Sequence, residues 1–409
     1  MTFERPVTEE PRLTVRPRQA PFLLRRPFLP WFAFVTVLAL LLGTLLVRSG
    51  NLMLPLERIT TLHGKAASKA DFFEDSEVRR ILMRHNIWVD MTKSETREIL
   101  LHDIDQYDFV FPSGGSSAEL IKERQAQKKG SHVGSYTPFI TPLVLVTYRE
   151  YADVLQDAGI VSPQQGQGQA APLYYRIKMR QFLDLTKQGK RWNELGARHK
   201  VNNENKMLAH TPDICETNSG GAYLGMVAFL ENNNDVVKSE NEARVLAGKI
   251  RPTVTAMGLP ATDIFEIFIK PEGKGIAPVV VVYEHQYLEY QLNQQASNGK
   301  PDSSRVLLYP DPSSMSQPMY ISLNEKADDL GELLHTDPAL RRRAVELGYR
   351  LVDHGGGPSG PELTSLLSER HVPPVPDDTA FSTNIRMPTV ANLETMIVHG
   401  ADCQPIDLS

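Results

Sequence analysis

Cysteine is almost absent from this chain: Cys215 and Cys403 are the only two among 409 residues. There is no Cys/His spacing suited to zinc, no H-E-x-x-H and no P-loop, and the 11 histidines fall without pairing at helical spacing. Neither a metal centre nor a nucleotide-phosphate cradle is therefore signalled, and no cofactor is expected. The stretch His354-Gly355-Gly356-Gly357 looks like a lipase oxyanion loop, yet the G-x-S-x-G elbow that would carry a nucleophile is missing. A hydrolase is thus left without a nucleophile, base and orienter. Positive charge is also short, with 44 Lys plus Arg against 49 Asp plus Glu. No basic stripe with interleaved aromatics points to a nucleic-acid partner.

One segment lacks charge altogether. Pro27 to Val47 runs for 21 positions without Asp, Glu, Lys or Arg, and a bilayer core needs about 20 apolar residues. Six arginines precede it (Arg5, Arg12, Arg16, Arg18, Arg25 and Arg26), whereas Arg48 and Arg58 are the nearby cations that follow. That asymmetry puts residues 1–26, a Pro- and Arg-rich tail read as disordered, on the cytoplasmic side and sends the rest across. Leu45-Leu46-Val47-Arg48-Ser49-Gly50 offers no A-x-A cleavage site, so an uncleaved single-pass anchor in the cytoplasmic membrane is expected, with the C-terminal part periplasmic or extracellular. In such a compartment Cys215 and Cys403 are free to pair, geometry permitting, and a disulfide there would clamp the C-terminal tail across the fold.

Beyond the span, about 360 residues exceed what a single core usually holds. Short apolar runs alternate with helical patterns, the mark of an α/β protein with mainly parallel strands. Strands are expected at Leu56 to Leu62, Ile87 to Asp90, Tyr107 to Phe111, Ile140 to Tyr148, Lys206 to His210, Ile276 to Tyr283 and Arg305 to Tyr309. Helices are expected at Asp75 to Arg84, Ser94 to Leu101, Ala118 to Gln127, Leu173 to Thr186, Arg191 to Leu195, Gly220 to Glu231, Glu240 to Met257, Tyr287 to Ala296, Glu325 to His335 and Pro338 to Leu347. The simplest topology makes 56–147 the first part of lobe 1, 148–275 lobe 2 and 276–352 the return to lobe 1. Residues 162–171, rich in Gln and Gly, and 355–378, rich in Gly and Pro, read as mobile linkers, with 353–409 a C-terminal extension.

Ligands in open α/β sheets bind beyond the carboxyl ends of strands, where helix N-termini present unpaired N–H groups. Two loops fit. Ser113-Gly114-Gly115-Ser116-Ser117 opens one helix, and Thr217-Asn218-Ser219-Gly220-Gly221 opens another. Each alone is an ordinary helix cap. Together, facing across a cleft, they form an oxyanion site without a buried counter-charge. Candidate ligand-binding residues are therefore Ser113, Ser116, Ser117, Thr217, Asn218, Ser219 and Ser94, with Arg97, Lys65 and Ser68 as supplements.

The pieces YDFVFPSGGSSAEL (Tyr107 to Leu120), PLVLVTYREYADVLQDAGIV (Pro142 to Val161), HTPDICETNSGGAYLG (His210 to Gly225), GIAPVVVVYEHQYLE (Gly275 to Glu289) and VLLYPDP (Val306 to Pro312), in that order, resemble the type II periplasmic binding protein fold of bacterial extracellular solute-binding proteins. The resemblance spans roughly 56–352. It implies two α/β lobes joined by two crossover segments, hinged near Thr147-Tyr148 and Val282-Tyr283, with the Ser113 and Asn218 loops facing the cleft.

The chain is therefore expected to be a non-enzymatic, membrane-anchored solute-binding or sensor-like protein closing over a small polar, anionic ligand. The alternative is a ligand-free envelope scaffold on the same fold that docks a membrane-protein partner.

Overall fold

A computed structural model describes residues 28–48, 58–101, 103–128, 132–164, 172–256, 264–352, 358–359, 361–376 and 385–406. The chain forms two compact units, Met1–Glu57 and Arg58–Ser409.

In the first unit a helix runs over Phe28–Arg48, and its described side chains, Pro30 to Thr44, are exposed apart from a half-buried Gly43. Among the described residues no helix is long and apolar enough to cross a membrane. The expected span reaches past them, to Pro27 and to the side chains of Leu45 to Val47, and the expected tail over 1–26 also lies outside the described residues.

The second unit holds, in chain order, β1 (Thr60–Ala66), β2 (Ile87–Lys93), β3 (Phe109–Phe111), β4 (Gly134–Tyr136), β5 (Phe139–Tyr148), β6 (Val161–Pro163), β7 (Tyr174–Lys178), β8 (Val279–Tyr283), β9 (Arg305–Asp311), β10 (Ser314–Ser316), β11 (Tyr320–Ser322), β12 (Arg350–Val352) and β13 (Pro358–Ser359). They make two sheets. One has the order β2-β1-β3-β11-β4, and the other β13-β12-β5-β9-β7-β6 with β8 and β10 also paired to β5.

The sequence patterns explain the strongest elements. All ten residues of β5 are buried, which is why FITPLVLVTY reads as a continuous apolar run rather than an alternation. Asp75 caps the helix Ser76–Arg84 by accepting from the Glu77 and Val78 amides and leaves Val78, Ile81 and Leu82 to pack inward at helical spacing. Gly64 in β1 is required by close approach, since a Cβ there would lie 2.2 Å from the Phe109 ring.

The sheets share one core. Phe139 opens β5 in the second sheet and meets Phe72 at 5.2 Å, Phe111 at 5.9 Å and Tyr349 at 4.1 Å between ring centroids. Each such pair adds about 0.5–1.5 kcal/mol beyond its buried area, so this aromatic knot fixes how the sheets meet. A buried ion pair braces the second sheet: Arg350 donates to both Glu284 oxygens at 2.6 Å, and the Tyr309 hydroxyl donates to the same carboxylate.

Several expectations are corrected. Parallel pairing holds for β2-β1-β3, but in the second sheet β5 runs antiparallel to β8, β9, β10 and β12. Within residues 276–352, β8 and β9 pair with β5 in the second sheet, and β11 pairs with β3 and β4 in the first. Thr147 and Val282 lie inside the second sheet, with Thr147 paired to Val279 and Val282 to Val144. The chain crosses between the sheets from Tyr136 to Phe139 and from Ser316 to Tyr320.

Local assignments shift too. The strand expected to end at Leu62 continues to Ala66, with Gly64, Lys65 and Ala66 buried. The stretch Leu173 to Thr186 divides into β7 and a helix over Met179–Lys187, and Lys206 to His210 holds only isolated bridges, from Lys206 to Arg191 and from His210 to Val280. In the expected linker 355–378 a helix, Pro361–Glu369, buries Leu363, Leu366 and Leu367. Most of the other expected linker, residues 165–171, lies outside the described residues.

Candidate functional site

Where the two sheets meet, a cavity of about 950 Å³ is lined from both sides. The first sheet's side supplies the segments after β1 (Ala67, Ser68, Lys69, Asp71, Phe72) and after β2 (Ser94, Glu95, Glu98). The second contributes Pro212, Thr217, Asn218, Ser219, the end of β8 with Tyr283, and His285, Gln286 and Tyr349.

The helix Asn218–Glu231 points its N-terminus here. Thr217 is its cap: the Thr217 hydroxyl accepts from the Gly220 amide at 3.1 Å and donates to the Asp213 carbonyl at 2.7 Å. Those bonds occupy the Thr217 hydroxyl; Asn218 and Ser219 line the cavity beside it, and the Asn218 amide donates to the Tyr283 hydroxyl at 2.6 Å. The two expected helix starts do meet. A Cβ on Gly114, the N-cap of the helix Gly115–Gln127, would lie 2.5 Å from the Asn218 side-chain oxygen.

The serines of the first loop nevertheless do not face the cavity. Ser113 is fully buried, its hydroxyl 2.9 Å from that of Ser68 and its carbonyl accepting from Ser316 at 2.8 Å. Ser116 donates to the Pro388 carbonyl at 3.1 Å, and Ser117 is absent from the lining. Close approach of Gly114 to Asn218 has closed the gap they were expected to border. Ser94, Thr217, Asn218 and Ser219 line the cavity, as does Ser68. Lys65 is buried, 3.7 Å from Glu98, and Arg97 is committed to the C-terminal segment described below.

The residue missed by sequence reasoning is Lys69. It is fully buried and lines the cavity, and its ammonium has no hydrogen-bond partner among the described residues. Its Nζ lies 4.2 Å from the Tyr283 ring centroid and 5.6 Å from that of Tyr349. Burial drives its pKa down to about 7, against the weaker opposing pull of Asp71. Behind the rings His285 stacks on Tyr349 at 4.2 Å and bonds Thr141 at 3.1 Å. Burial, then the nearby Lys69 charge, hold His285 well below the usual histidine range. In sequence Lys69 is only a lysine ahead of Ala70-Asp71-Phe72-Phe73. Its enclosure comes from Tyr283 and Tyr349, more than two hundred residues away.

The charged lining is mainly acidic: Asp71, Glu74, Asp75, Glu95, Glu98, Glu266 and Glu289 share it with two lysines, Lys69 and Lys93. Lys93 neutralises Asp71 and Glu74 at 2.8 Å each, and Arg343 holds Asp75 at 2.7 Å. Glu95 is pushed above the ordinary carboxylate range by burial and then by Glu216, Glu98 and Asp213. Glu289 is raised by burial, against the opposing charge of Arg343.

The C-terminal segment is no loose extension. Cys403 is disulfide-bonded to Cys215, with Cα atoms 5.4 Å apart, just ahead of the Asn218 helix. The helix Val390–Ala401 packs along Glu240–Val254, on the second sheet's side. From the first sheet's side Arg97 grips Glu394 through two bonds, at 2.5 and 3.0 Å, and also donates to the Cys215 and Gln404 carbonyls. The segment is thus a clasp fastened to both sides of the cavity.

Among the described residues no group of three or more His, Cys, Asp or Glu could hold a metal ion. No family model matches the chain, and no curated protein matches it. It is similar in structure to the sulfate-binding protein SubI from Mycobacterium tuberculosis H37Rv, at 13% identity and a TM-score of 0.42 over 82% of this chain and 96% of that one. It is also similar to iron-bound HitA from Pseudomonas aeruginosa, at 8% identity and 0.49 over 84% and 99%. A third similar structure is the periplasmic binding protein AfuA from Actinobacillus pleuropneumoniae with exogenous fructose-6-phosphate bound, at 11% identity and 0.43 over 84% and 95%. At these identities and scores the likeness fixes neither a family nor a ligand for this chain.

Proposed function

We propose that this chain is a solute-binding protein of the two-lobed type, tethered to the cytoplasmic membrane through residues 27–47, with residues 58–409 on the outer side. The observation that carries the proposal is the cavity between the sheets, large enough for a small molecule and containing a buried amine that has no hydrogen-bond partner among the described residues. A buried polar group without a partner is costly, and a ligand repays that cost on binding. The ligand is small and polar. The N-terminus of the Asn218 helix and Lys69 favour a negative group deep in the site, while the carboxylates favour neutral or positive groups elsewhere on the same molecule.

Thermal unfolding of the protein across a panel of sugars, amino acids, keto acids and inorganic anions tests this. A ligand at a hundred times its Kd adds about 2.7 kcal/mol; a flat response throughout contradicts the proposal. The tether is tested by reporters fused at the C-terminus: activity confined to a cytoplasmic reporter would overturn it.

The clasp favours a second reading, in which the lobes are held at one aperture and the protein docks a membrane-protein partner without a solute. A flat panel together with a partner recovered by cross-linking in membranes would support it.

A further inference from the structure

Lys69 carries more than a binding role. An amine enclosed by the Tyr283 and Tyr349 rings, with no hydrogen-bond partner among the described residues, lines a cavity that also offers the hydroxyls of Ser68, Ser94 and Ser219. An anion alone is a poor match for that amine, because seven carboxylates share the same lining. A buried lysine with no hydrogen-bond partner among the described residues is favoured in its neutral form, and in an enclosed space the lone pair of that form is a nucleophile. We propose that Lys69 captures a carbonyl-bearing solute, a small hydroxylated aldehyde or keto compound, as a reversible imine.

The nitrogen attacks the carbonyl carbon and gives a carbinolamine, with one amine proton passing to the oxygen. Loss of that hydroxyl with a second amine proton, as water, leaves the carbon–nitrogen double bond. Addition of water reverses both steps, so no oxidant or reductant is consumed. The aromatic walls limit water around the nitrogen, which favours the dehydrated form. The lowered basicity of Lys69 agrees with this geometry. The proposal rests on the cavity being a solute site and adds the chemical class of the solute.

The test uses the full chain, with the disulfide intact and reduced, incubated at pH 7 with glycolaldehyde and sodium cyanoborohydride, then digested for mass spectrometry. The peptide bearing Lys69 should gain one hydroxyethyl group on the order of a hundred-fold faster than the peptides bearing exposed Lys249 or Lys300. Lys69→Met should abolish that fast labelling while the protein still unfolds cooperatively. Labelling of Lys69 no faster than of the exposed lysines, in both redox forms, overturns imine capture. It leaves the solute-binding function standing if the panel stabilises the protein. Fast labelling with a flat panel would overturn the non-covalent function and keep this one.

Discussion

Arg97 and Glu394 lie 297 residues apart in sequence and meet as a two-bonded ion pair, with side chains only 15% and 9% exposed. Through this contact the C-terminal helix is fastened to the first sheet's side, while the disulfide fastens it beside the Asn218 helix. Removing one charge leaves the other poorly solvated, so Glu394→Gln should lower stability by about 2–4 kcal/mol, measured by denaturant unfolding. Cys403→Ser opens a loop between cysteines 188 residues apart and should cost about 2–5 kcal/mol. Both variants should expose residues 385–406 to protease before the remainder unfolds. Cleavage no faster than in the parent protein would mean the clasp does not depend on these bonds.

Lys69 makes stability depend on pH in a defined direction. Its pKa in the folded chain is lowered to about 7 from an ordinary value of 10.5. The folded state therefore disfavours the charged amine, and the cost is complete below pH 7 and absent above about pH 10.5. Lys69→Met should accordingly be more stable than the parent at pH 6, with the gap closing as pH rises towards 10. Thermal unfolding of both proteins across that range measures it. A gap that stays constant with pH would mean Lys69 is not held in its neutral form.

The two loop serines should behave differently. Ser219 lines the cavity and Ser116 is spent on the Pro388 carbonyl. For any solute that stabilises the parent protein, Ser219→Ala should weaken binding a few-fold to about a hundred-fold, the worth of one hydroxyl bond. Ser116→Ala should leave affinity unchanged and cost about 1 kcal/mol of stability. Titration calorimetry beside unfolding separates the effects, and equal losses of affinity in both variants would contradict the placement.

Much of this architecture is legible in the sequence. Apolar runs mark β5 and β8 because a strand buried on both faces shows no alternation, a capped amphipathic stretch marks the helix Ser76–Arg84, and the Thr217 cap ahead of a glycine pair marks the buried helix Asn218–Glu231. Other features are settled only by contacts distant in the chain. Tyr174–Lys178 falls within the stretch expected as helix, yet pairing with β9 makes it a strand. Gly and Pro around 355–378 suggest a linker, although Leu363, Leu366 and Leu367 are buried. Lys69 carries no local signal at all, since its isolation depends on two tyrosines that folding brings to it.

The central claim is that the cavity between the sheets encloses a solute, and amide hydrogen exchange tests it most directly. With the solute that gives the largest stabilisation in the panel, exchange should slow together at residues 67–71 and 94–98 on one side and at 217–221 on the other, because a ligand held between the sheets touches both. Slowing confined to one side, or found only away from the cavity, would contradict the account.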